Sequence, residues 1–457
     1  MSKFILSFLI GCTTLFVTAQ NSQNINLLYN WHNPSISVSA NDFRRYNEVW
    51  GYEQDGIEYA IMGSLDGVHF LQIPASSGNL TEVDFVQGRS AGSHIVHRDF
   101  KNFGKYLYAV CDQGFSSLQI IDMSYLPDSV HVVYDNDSLI VRAHNLFIDT
   151  AKSRLHIFGA RTYIHPPYSN QNHAMISFSL ENPENPSFLG EFIHPLYTYV
   201  HDGYVKNDTA FLNCGNEGFY IGNFTNPGNP IVIADYTSYP EKGYCHSGWM
   251  SADEKKYVMA DETHGKKLKL MNVENLLNID FCNVLGEVDL DANAIPHNPL
   301  IRDNFIYVAY YHHGLQVYAY SEDCGVEKIA WYDTYPDTSF PPLDFAGAWG
   351  TYPFLPSGRI LLGDMQSGCY VFEPLFFAGN EPVSSEKIKI YPNPASHVIS
   401  LSGIDNIDAI SIYSLNGSFI STVKNTNTIS VEELCSGMYL AEIKSGETRI
   451  RKKFIKE

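Results

Sequence analysis

The sequence predicts an all-β protein, a seven-bladed β-propeller followed by a small β-sandwich C-terminal domain. One segment recurs seven times at intervals of 45 to 57 residues, and propeller blades of four short strands repeat about every 40 to 50 residues. Strand-favouring Tyr and Phe are abundant, 30 and 27 of 457 residues, and helical periodicity is absent. A change of composition near residue 379 separates a large domain from a small one.

The recurring segment opens with His or Trp and runs through a strand, a turn and a second strand that ends about fifteen positions later. The first residues of the seven copies, called openers here, are 47, 47, 57, 45, 51 and 52 residues apart. They are Trp50, His97, His144, His201, His246, His297 and Trp349. A constant internal step within a variable spacing indicates that the first hairpin is constrained and the outer loops are not.

This hairpin predicts a site. Two antiparallel strands joined by a turn place the start of the first beside the end of the second. In a propeller the first strand of each blade lines the central channel, so the openers and the residues fifteen positions later are expected around one channel mouth. The residues predicted to bind a ligand there are Trp50, Asp112, Asn216, Asp261, His312, Trp349 and Asp364.

Four histidines are candidate metal ligands. His144, His201, His246 and His297 open four consecutive repeats, which makes them angular neighbours. Imidazole is a common ligand of Zn, Cu, Fe and Ni, so a divalent metal ion is the predicted cofactor. The alternative is structural, with each His bonded to the turn of its own blade or to a neighbouring backbone. The sequence has no His-Glu-x-x-His or paired-Cys spacing that would support zinc locally.

The amino terminus predicts export. Residues 1–19 read as a signal peptide, with Lys3 before an apolar run and Val17-Thr-Ala19 as the cleavage site. The competing interpretation is a lipoprotein processed at Cys12. No other apolar run is long enough to span a membrane, so no transmembrane segment is expected after cleavage.

The domain boundaries follow from the repeats. Residues 20–378 are expected to form the propeller, residues 379–386 a linker and residues 387–457 the C-terminal domain. The seventh repeat lacks one outer strand, and residues 24–30 are predicted to supply it, because pairing the two ends removes an open sheet edge. Residues 161–173 form a long insertion, either a recognition loop or a solvated one.

Charge excludes one class of partner. Residues 20–386 contain 20 Lys and Arg against 43 Asp and Glu, and such a surface does not suit nucleic acid. It tolerates cations. Seven Cys remain after signal cleavage, without the spacing of a disulfide framework, and Cys282 with Cys324 is the candidate pair.

The last 70 or so residues resemble the C-terminal sorting domain of the type IX secretion system of Bacteroidetes. The matching motifs are Tyr391-Pro-Asn-Pro-Ala395, Ile412-Tyr-Ser-Leu-Asn-Gly417, Ser436-Gly-Met-Tyr-Leu440 and the closing Lys-Phe-Ile-Lys. The resemblance implies that residues 387–457 engage the type IX secretion machinery. It also implies export across the outer membrane, followed by surface attachment or release.

The segment from about 22 to 376 resembles the choice-of-anchor B family, whose repeats are related to LVIVD propeller repeats. The matching stretches are Trp50-Gly-Tyr, Gly243-Tyr-Cys-His-Ser-Gly-Trp249, Phe345-Ala-Gly-Ala-Trp349 and Pro353-Phe-Leu-Pro-Ser-Gly358. His97 departs from the family, which typically has Trp there. The resemblance implies a propeller fold and an extracellular location, and it implies no reaction.

These observations favour a secreted or cell-surface binding or adhesion module for an unknown extracellular ligand. The alternative is a metal-dependent extracellular hydrolase or lyase with its site at the channel mouth, where Asp112 and the pair Asp261-Glu262 could supply carboxylates. The sequence has no phosphate-binding loop.

Overall fold

The structure is a computed structural model that describes residues 22–40, 43–162, 172–285, 294–335, 345–376, 389–404, 407–414, 419–445 and 448–457. The chain divides into two compact units, Met1–Pro374 and Leu375–Glu457. The described residues form strands, turns and loops, with no helix among them, which confirms the predicted all-β class. The predicted signal peptide, the linker at 379–386 and most of the insertion at 161–173 lie outside the described residues.

The first unit contains 29 strands within the described residues. In chain order they are β1 (Ser22–Gln23), β2 (Ile25–Trp31), β3 (Tyr46–Gln54), β4 (Ile57–Ser64), β5 (Gly67–Gln72), β6 (Thr81–Gln87), β7 (Arg98–Phe103), β8 (Tyr106–Cys111), β9 (Leu118–Asp122), β10 (His131–Asn136), β11 (Asn145–Asp149), β12 (Arg154–Arg161), β13 (Asn172–Ser179), β14 (Ser187–Phe192), β15 (Asp202–Lys206), β16 (Thr209–Asn213), β17 (Phe219–Asn223), β18 (Ile231–Tyr236), β19 (Cys245–Met250), β20 (Lys256–Asp261), β21 (Leu268–Asn272), β22 (Asp280–Leu285), β23 (Asn298–Arg302), β24 (Phe305–Ala309), β25 (Leu315–Tyr320), β26 (Val326–Tyr332), β27 (Ala348–Tyr352), β28 (Ile360–Asp364) and β29 (Gly368–Pro374).

These strands form seven antiparallel sheets, the blades of a propeller. Blades 1 to 5 are β3–β6, β7–β10, β11–β14, β15–β18 and β19–β22, and each is a simple up-and-down meander. Blade 6 consists of β23–β26 with β1 added at its outer edge, and blade 7 of β27–β29 with β2. The first strand of each blade contacts the first strand of the next, and β27 contacts β3, so the circle closes around a channel.

The hydrophobic core lies between neighbouring blades. One buried cluster joins Ile61 and Phe70 of blade 1 to Phe100 and Ile121 of blade 2. Equivalent clusters join blades 2 and 3, 3 and 4, 4 and 5, 5 and 6, and 7 and 1. Because each blade buries both faces, its strands are almost continuously apolar, as the burial of β4 and β20 illustrates.

The last blade takes its outer strand from the amino terminus. β2 pairs antiparallel with β29, from Ile25 opposite Pro374 to Trp31 opposite Cys369. Residues 25–30 of the segment expected to fill this position lie in β2. The neighbouring strand β1 pairs with β26, so the amino-terminal segment is hydrogen-bonded to both blade 6 and blade 7.

A disulfide links two neighbouring blades. Cys282 of β22 in blade 5 is bonded to Cys324, in the turn between β25 and β26 of blade 6. Of the five free cysteines within the described residues, Cys111, Cys214, Cys245 and Cys369 are buried.

The C-terminal unit is a two-sheet sandwich. Its strands are β30 (Lys389–Tyr391), β31 (Val398–Ser402), β32 (Ala409–Ser414), β33 (Phe419–Lys424), β34 (Thr428–Ser430), β35 (Gly437–Ser445) and β36 (Thr448–Lys456). One sheet has the order β30-β31-β34 and the other β33-β32-β35-β36. Ile399 and Leu401 of the first sheet share a buried cluster with Ile410 and Ile443 of the second.

Removing residues 20–32 is expected to lower the Tm of the propeller by roughly 5 °C or more and to cause association between molecules. The reason is that loss of β2 leaves the hydrogen-bonding groups of β29 as an open sheet edge. Differential scanning calorimetry and light scattering would measure both effects. Removing only residues 20–23, which deletes β1 and keeps β2, is the matched control and should change Tm much less. A monomeric 20–32 deletion with unchanged Tm would contradict this role of β2.

Candidate metal centre in the propeller channel

Six side chains form a closed ring inside the channel. We call this set the histidine ring, and it consists of His97, His144, His201, His246, His297 and Trp349. The centroids of successive rings are 4.1, 4.0, 4.2, 4.3 and 4.6 Å apart, and 5.5 Å separates Trp349 from His97. Six blades, 2 to 7, therefore each contribute one aromatic side chain to one layer of the channel.

The first hairpin of each blade holds these residues in place. The backbone N–H groups of His144, His201 and His297 donate to the carbonyls of Phe158, Asn213 and Ala309 at the ends of the facing strands. At His246 and at Trp349 the register with the second strand shifts by one residue. Such β-bulges re-aim a side chain, and they turn the opener toward the channel.

Hydrogen bonds assign the protons of three imidazoles. His201 Nδ1 is 3.2 Å from the carbonyl oxygen of His246, and His297 Nδ1 bonds the carbonyl oxygen of Trp349. His144 Nδ1 is 2.9 Å from Asp112 Oδ2. Because carbonyl and carboxylate oxygens only accept, each Nδ1 must carry the proton, and each neutral ring keeps a lone pair on Nε2.

Two further buried ring nitrogens lack a partner. Neither Nδ1 of His97 nor Nδ1 of His246 makes a hydrogen bond to any described residue. A buried polar atom without a partner is uncommon in native proteins and calls for an explanation such as an ion or a water.

A carboxylate from blade 5 faces the ring. Glu262 follows β20, and its Oε2 lies 3.7 Å from Nε2 of His246, while its Oε1 lies 4.0 Å from Nε2 of His297. The hydroxyl of Tyr311 donates to Glu262 Oε1. The Glu262 carboxylate is thus held close to two imidazoles, yet at distances longer than a hydrogen bond.

The Tyr311 backbone adopts a strained conformation. Its φ is +41°, which a residue with a side chain rarely adopts. The carbonyl of Tyr311 accepts from the Ala348 N–H at 2.8 Å, and Gly347 sits so close that an added Cβ would be 2.4 Å from that carbonyl oxygen. Strained backbone of this kind clusters at functional sites.

Burial keeps four of the imidazoles in the ring uncharged. It lowers the pKa of His297 to about 3 and holds the pKa of His97, His201 and His246 well below the usual value, with the neighbouring imidazoles adding to the effect. Burial raises the pKa of Glu262. The ring therefore offers neutral imidazole nitrogens, the form that binds metal ions.

Asp112 behaves differently. Burial by itself would raise the pKa of Asp112, but the hydrogen bond from His144, with the nearby charges of Arg142 and Arg161, brings it below the ordinary value. Asp112 is therefore an anion at one side of the ring.

Two sets of three side chains have ligand atoms within 4.8 Å of one another. One is His201, His246 and Glu262, and the other is His97, Asp112 and His144. Imidazole and carboxylate in sets of three are the ligands of many protein zinc and other transition-metal sites.

Several residues that the sequence predicts for this mouth lie elsewhere. Asp261 is fully buried behind the channel, where it bonds Lys269 Nζ at 2.6 Å and the Tyr239 hydroxyl at 2.7 Å. Asp364 is buried as well, and it accepts from Thr334 and from the backbone of its own turn.

Among the predicted ligand-binding residues, Trp50 differs most from its predicted position at the ring. It lies opposite Ile61 in the middle of its hairpin, three residues or more past the ring layer, and it lines the other end of the channel. Asn216 is exposed in the turn before β17, and the His312 ring packs against His313. Of the seven ligand-binding candidates, Asp112 and Trp349 are at the ring.

The sequence points to Glu262 only beside Asp261, as a carboxylate for the enzyme alternative, and it does not point to Tyr311. Glu262 is sixteen positions after His246, and Tyr311 is fourteen after His297, so each is one residue away from the step of fifteen. A search for polar residues within one position of that step would have found both. His97 also belongs to the ring, although it was not among the predicted metal ligands.

Below the ring, the channel holds a buried charged layer. Glu48, Asp99, Lys101 and Asp202 line a cavity of about 40 Å³. Burial raises the pKa of Glu48 to about 8 and that of Asp202 to about 7. Lys101 Nζ bonds Asp99 Oδ1 at 2.7 Å and supplies the one compensating cation among these four side chains.

Comparison with known proteins identifies the C-terminal unit. Residues 389–457 match the secretion system C-terminal sorting domain. This domain makes the chain a type IX secretion substrate that is secreted or carried on the cell surface. Among the described residues there is no helix of the length and hydrophobicity needed to cross a membrane. No curated protein matches the chain.

Solved structures are similar in fold. The structure of U3-55K has 11% sequence identity and a TM-score of 0.51, and the match covers 76% of this chain and 98% of that one. The crystal structure of the RRP9 WD40 repeats has 11% identity and a TM-score of 0.51, over 78% of this chain and 99% of that one. The extracellular domain of a putative one-component system from B. thetaiotaomicron has 12% identity and a TM-score of 0.49, and the match covers 95% of this chain and 48% of that one. The first two support the propeller fold and nothing further.

Metal-free protein is expected to lose stability as the pH falls below about 6.5. An unfolded His takes up a proton near that pH, whereas folded His297 does so only near 3, so the unfolded state binds more protons between these values. Each such His lowers the free energy of unfolding by up to about 1.4 kcal/mol per pH unit in that window. The free energy of unfolding of His297→Gln should therefore change less steeply with pH than that of the parent, by about that amount per pH unit. Urea unfolding between pH 4 and 7 with chelator present would measure both slopes. His94→Gln, at an exposed His, is the control, and equal slopes for parent and His297→Gln would contradict the assignment.

Deletion of residues 387–457 is expected to block export while leaving the propeller folded. Those residues carry the sorting domain, and the propeller core lies entirely in the other compact unit. Cell fractionation should find the shortened protein in the periplasm, and limited proteolysis should show that it resists digestion. Normal appearance of the shortened protein at the cell surface would contradict the sorting role.

Proposed function

We propose that this protein is an exported cell-surface binding module whose propeller holds a divalent transition-metal ion in the histidine ring. His201, His246 and Glu262 are the central ligand set, with His297 beside it and His144 adjacent to His201. The extracellular partner of the module is a ligand distinct from this ion.

The observation that carries the proposal is the spacing of the ligand atoms. Atoms bound about 2.1 Å from a tetrahedral ion lie about 3.4 Å from one another. The separations from Glu262 oxygens to Nε2 of His246 and Nε2 of His297, 3.7 and 4.0 Å, exceed that edge by about 0.3 and 0.6 Å, and a ligand atom of His201 lies within 4.8 Å of those of His246 and Glu262. They are too long for hydrogen bonds, and shifts smaller than 1 Å would bring the atoms around one ion.

The outer contacts of the imidazoles support the same conclusion. Metal-binding His usually donates its other ring N–H to a carboxylate or a backbone carbonyl, which fixes the tautomer and the orientation. His144, His201 and His297 make this contact through Nδ1 to Asp112, to the His246 carbonyl and to the Trp349 carbonyl. A purely structural ring would need these bonds as well, but it would have no use for the Glu262 carboxylate at its present distance.

Ligand chemistry favours a transition metal. Ca²⁺ and Mg²⁺ prefer six or more oxygen ligands, whereas imidazole-rich sites with one carboxylate suit Zn, Cu, Ni or Fe. The negative charge of Glu262 and Asp112 would offset the charge of a divalent ion within a layer of neutral imidazoles.

The burial of the ring favours binding over catalysis. Five of its six residues are buried and His144 is partly buried, while His246 and His297 expose only 3% and 2% of their surface. An ion can be accommodated there more readily than a substrate, so the hydrolase or lyase alternative ranks second.

We also propose that the propeller belongs to the choice-of-anchor B family. The supporting features are the repeat period and the motifs around Trp50, Trp249 and Trp349. Side chains of these residues occupy two layers of one channel, which gives a physical reason for the motifs.

Replacing both His201 and His246 with Ala is expected to abolish stoichiometric metal binding, because two of three central ligands are lost. Protein purified without chelator would be loaded with Zn²⁺, Cu²⁺, Ni²⁺ or Co²⁺, dialysed, and assayed by mass spectrometry for metal content. The parent should retain about one ion and gain several degrees in Tm, and the double variant should do neither. Glu262→Gln should retain the fold and weaken binding at least about tenfold, through loss of one charged ligand.

His156→Ala is the matched control for removing a buried imidazole, since His156 lies in β12 and bonds Ser177 rather than the ring. It should lower Tm without changing metal content. Metal content well below one per chain in the parent, or equal content in the parent and the double variant, would leave only a structural role for the ring.

A further inference from the structure

The other end of the channel contains a second cavity. Its volume is about 380 Å³, and four half-buried aromatic side chains from four blades line it. We call these residues, Trp50, Phe147, Tyr204 and Trp249, the aromatic mouth. Phe147, Tyr204 and Trp249 each follow a ring histidine by three residues, which along a strand is about 10 Å. The aromatic mouth is therefore separate from the histidine ring.

The aromatic side chains form a continuous wall. Phe147 and Tyr204 have centroids 4.8 Å apart, Tyr204 and Trp249 5.2 Å, and Trp249 and Trp50 6.5 Å. Tyr352 packs edge-on against Trp50 from behind at 4.7 Å. The wall is therefore braced by its neighbours, and its exposed surface belongs to rigid aromatic side chains with few rotatable bonds.

The wall carries hydrogen-bonding groups without partners. Within the described residues, neither the indole N–H of Trp249 nor the hydroxyl of Tyr204 makes a hydrogen bond, whereas the indole N–H of Trp50 donates to Asn102 Oδ1 at 2.8 Å. A half-buried donor facing a cavity is best satisfied by an acceptor on a bound molecule.

Both lysines that line the cavity are already paired, and the carboxylate of Asp149 accepts from the backbone N–H of Asp208. Lys101 Nζ bonds Asp99 at 2.7 Å, and Lys206 Nζ lies 2.7 Å from Glu254. Lys101 Nζ also sits 4.6 Å from the Trp50 ring centroid, where it fills the position that a ligand cation would take. An anionic ligand would meet paired lysines on a chain of formal charge −20.

We propose that the aromatic mouth binds a neutral saccharide. A sugar ring has an apolar face of C–H groups that can pack flat on Trp249 or Trp50, and hydroxyls at its edge that can accept from Trp249 and Tyr204. A wholly apolar ligand would leave those two donors unsatisfied. The cavity volume falls within the range of small-molecule sites. The proposal does not depend on a metal in the histidine ring.

The test is isothermal titration calorimetry of the full chain with neutral hexasaccharides of glucose, mannose, xylose and N-acetylglucosamine, and with a hexauronate. At least one neutral oligosaccharide should bind with a Kd of about 1 mM or below. Trp249→Ala should weaken that binding at least about tenfold, and Tyr204→Phe, which removes only a hydroxyl, should weaken it severalfold.

Two control variants show whether the sugar binds at the aromatic mouth. Phe115→Ala and Phe43→Ala, at exposed aromatic residues outside the cavity, should each bind as the parent does. The proposal is overturned if none of the neutral sugars binds, if the hexauronate binds more tightly than all of them, or if folded Tyr204→Phe and Trp249→Ala bind as the parent does. If Trp249→Ala does not fold, the Tyr204→Phe result decides.

Discussion

The rest of the structure depends on closing a circle of seven blades. A blade by itself has two apolar faces and two open edges. An isolated sheet that exposes both is not stable in water. Packing each face against a neighbour buries both, and β2 removes the open edge of blade 7 by pairing with β29. Because β1 also pairs with β26, the amino-terminal segment ties blade 7 to blade 6. Closure of this kind fixes the first strands around a common axis, and all the candidate functional residues are on or next to those strands.

The channel is lined by the first strand of each blade. Side chains from six or seven blades meet at each layer, so a residue type that recurs in the repeat becomes a ring. Isolated buried imidazoles would each cost free energy of desolvation, and hydrogen bonds from Nδ1 to carbonyl or carboxylate oxygens offset that cost at His144, His201 and His297. At His97 and His246 the Nδ1 atoms have no such partner among the described residues. The ring therefore has more binding capacity than the folded chain itself uses.

The disulfide of the propeller is compatible with export to the cell exterior. A sorting domain directs the chain to the cell exterior, where disulfides persist, and the Cys282–Cys324 bond joins two neighbouring blades there. A propeller presents its channel openings on two opposite faces. In this protein one layer offers nitrogen and carboxylate ligands and the other offers aromatic faces, so the two proposed ligands differ in chemistry and do not compete for the same atoms.

The sequence by itself determined the repeat, the all-β class and the sorting domain, since period, strand-favouring composition and local motifs are properties of contiguous residues. The repeat also predicted that one set of side chains would lie close together, because residues at one position of every blade must meet at the axis. In the structure these neighbours are His144, His201, His246, His297 and Trp349.

Only the tertiary structure decided which neighbouring side chain faces the channel. In blade 5, a bulge of one residue at His246 accompanies the change from Asp261, the predicted position, to Glu262. In blade 6 the pairing of β23 with β24 is regular, and Tyr311, in the turn after β24, reaches Glu262 in place of His312. The same sensitivity to register put Trp50 at the far end of the channel instead of the ring. A spacing rule cannot see a bulge, since the bulge arises from contacts between strands and blades that are distant in sequence.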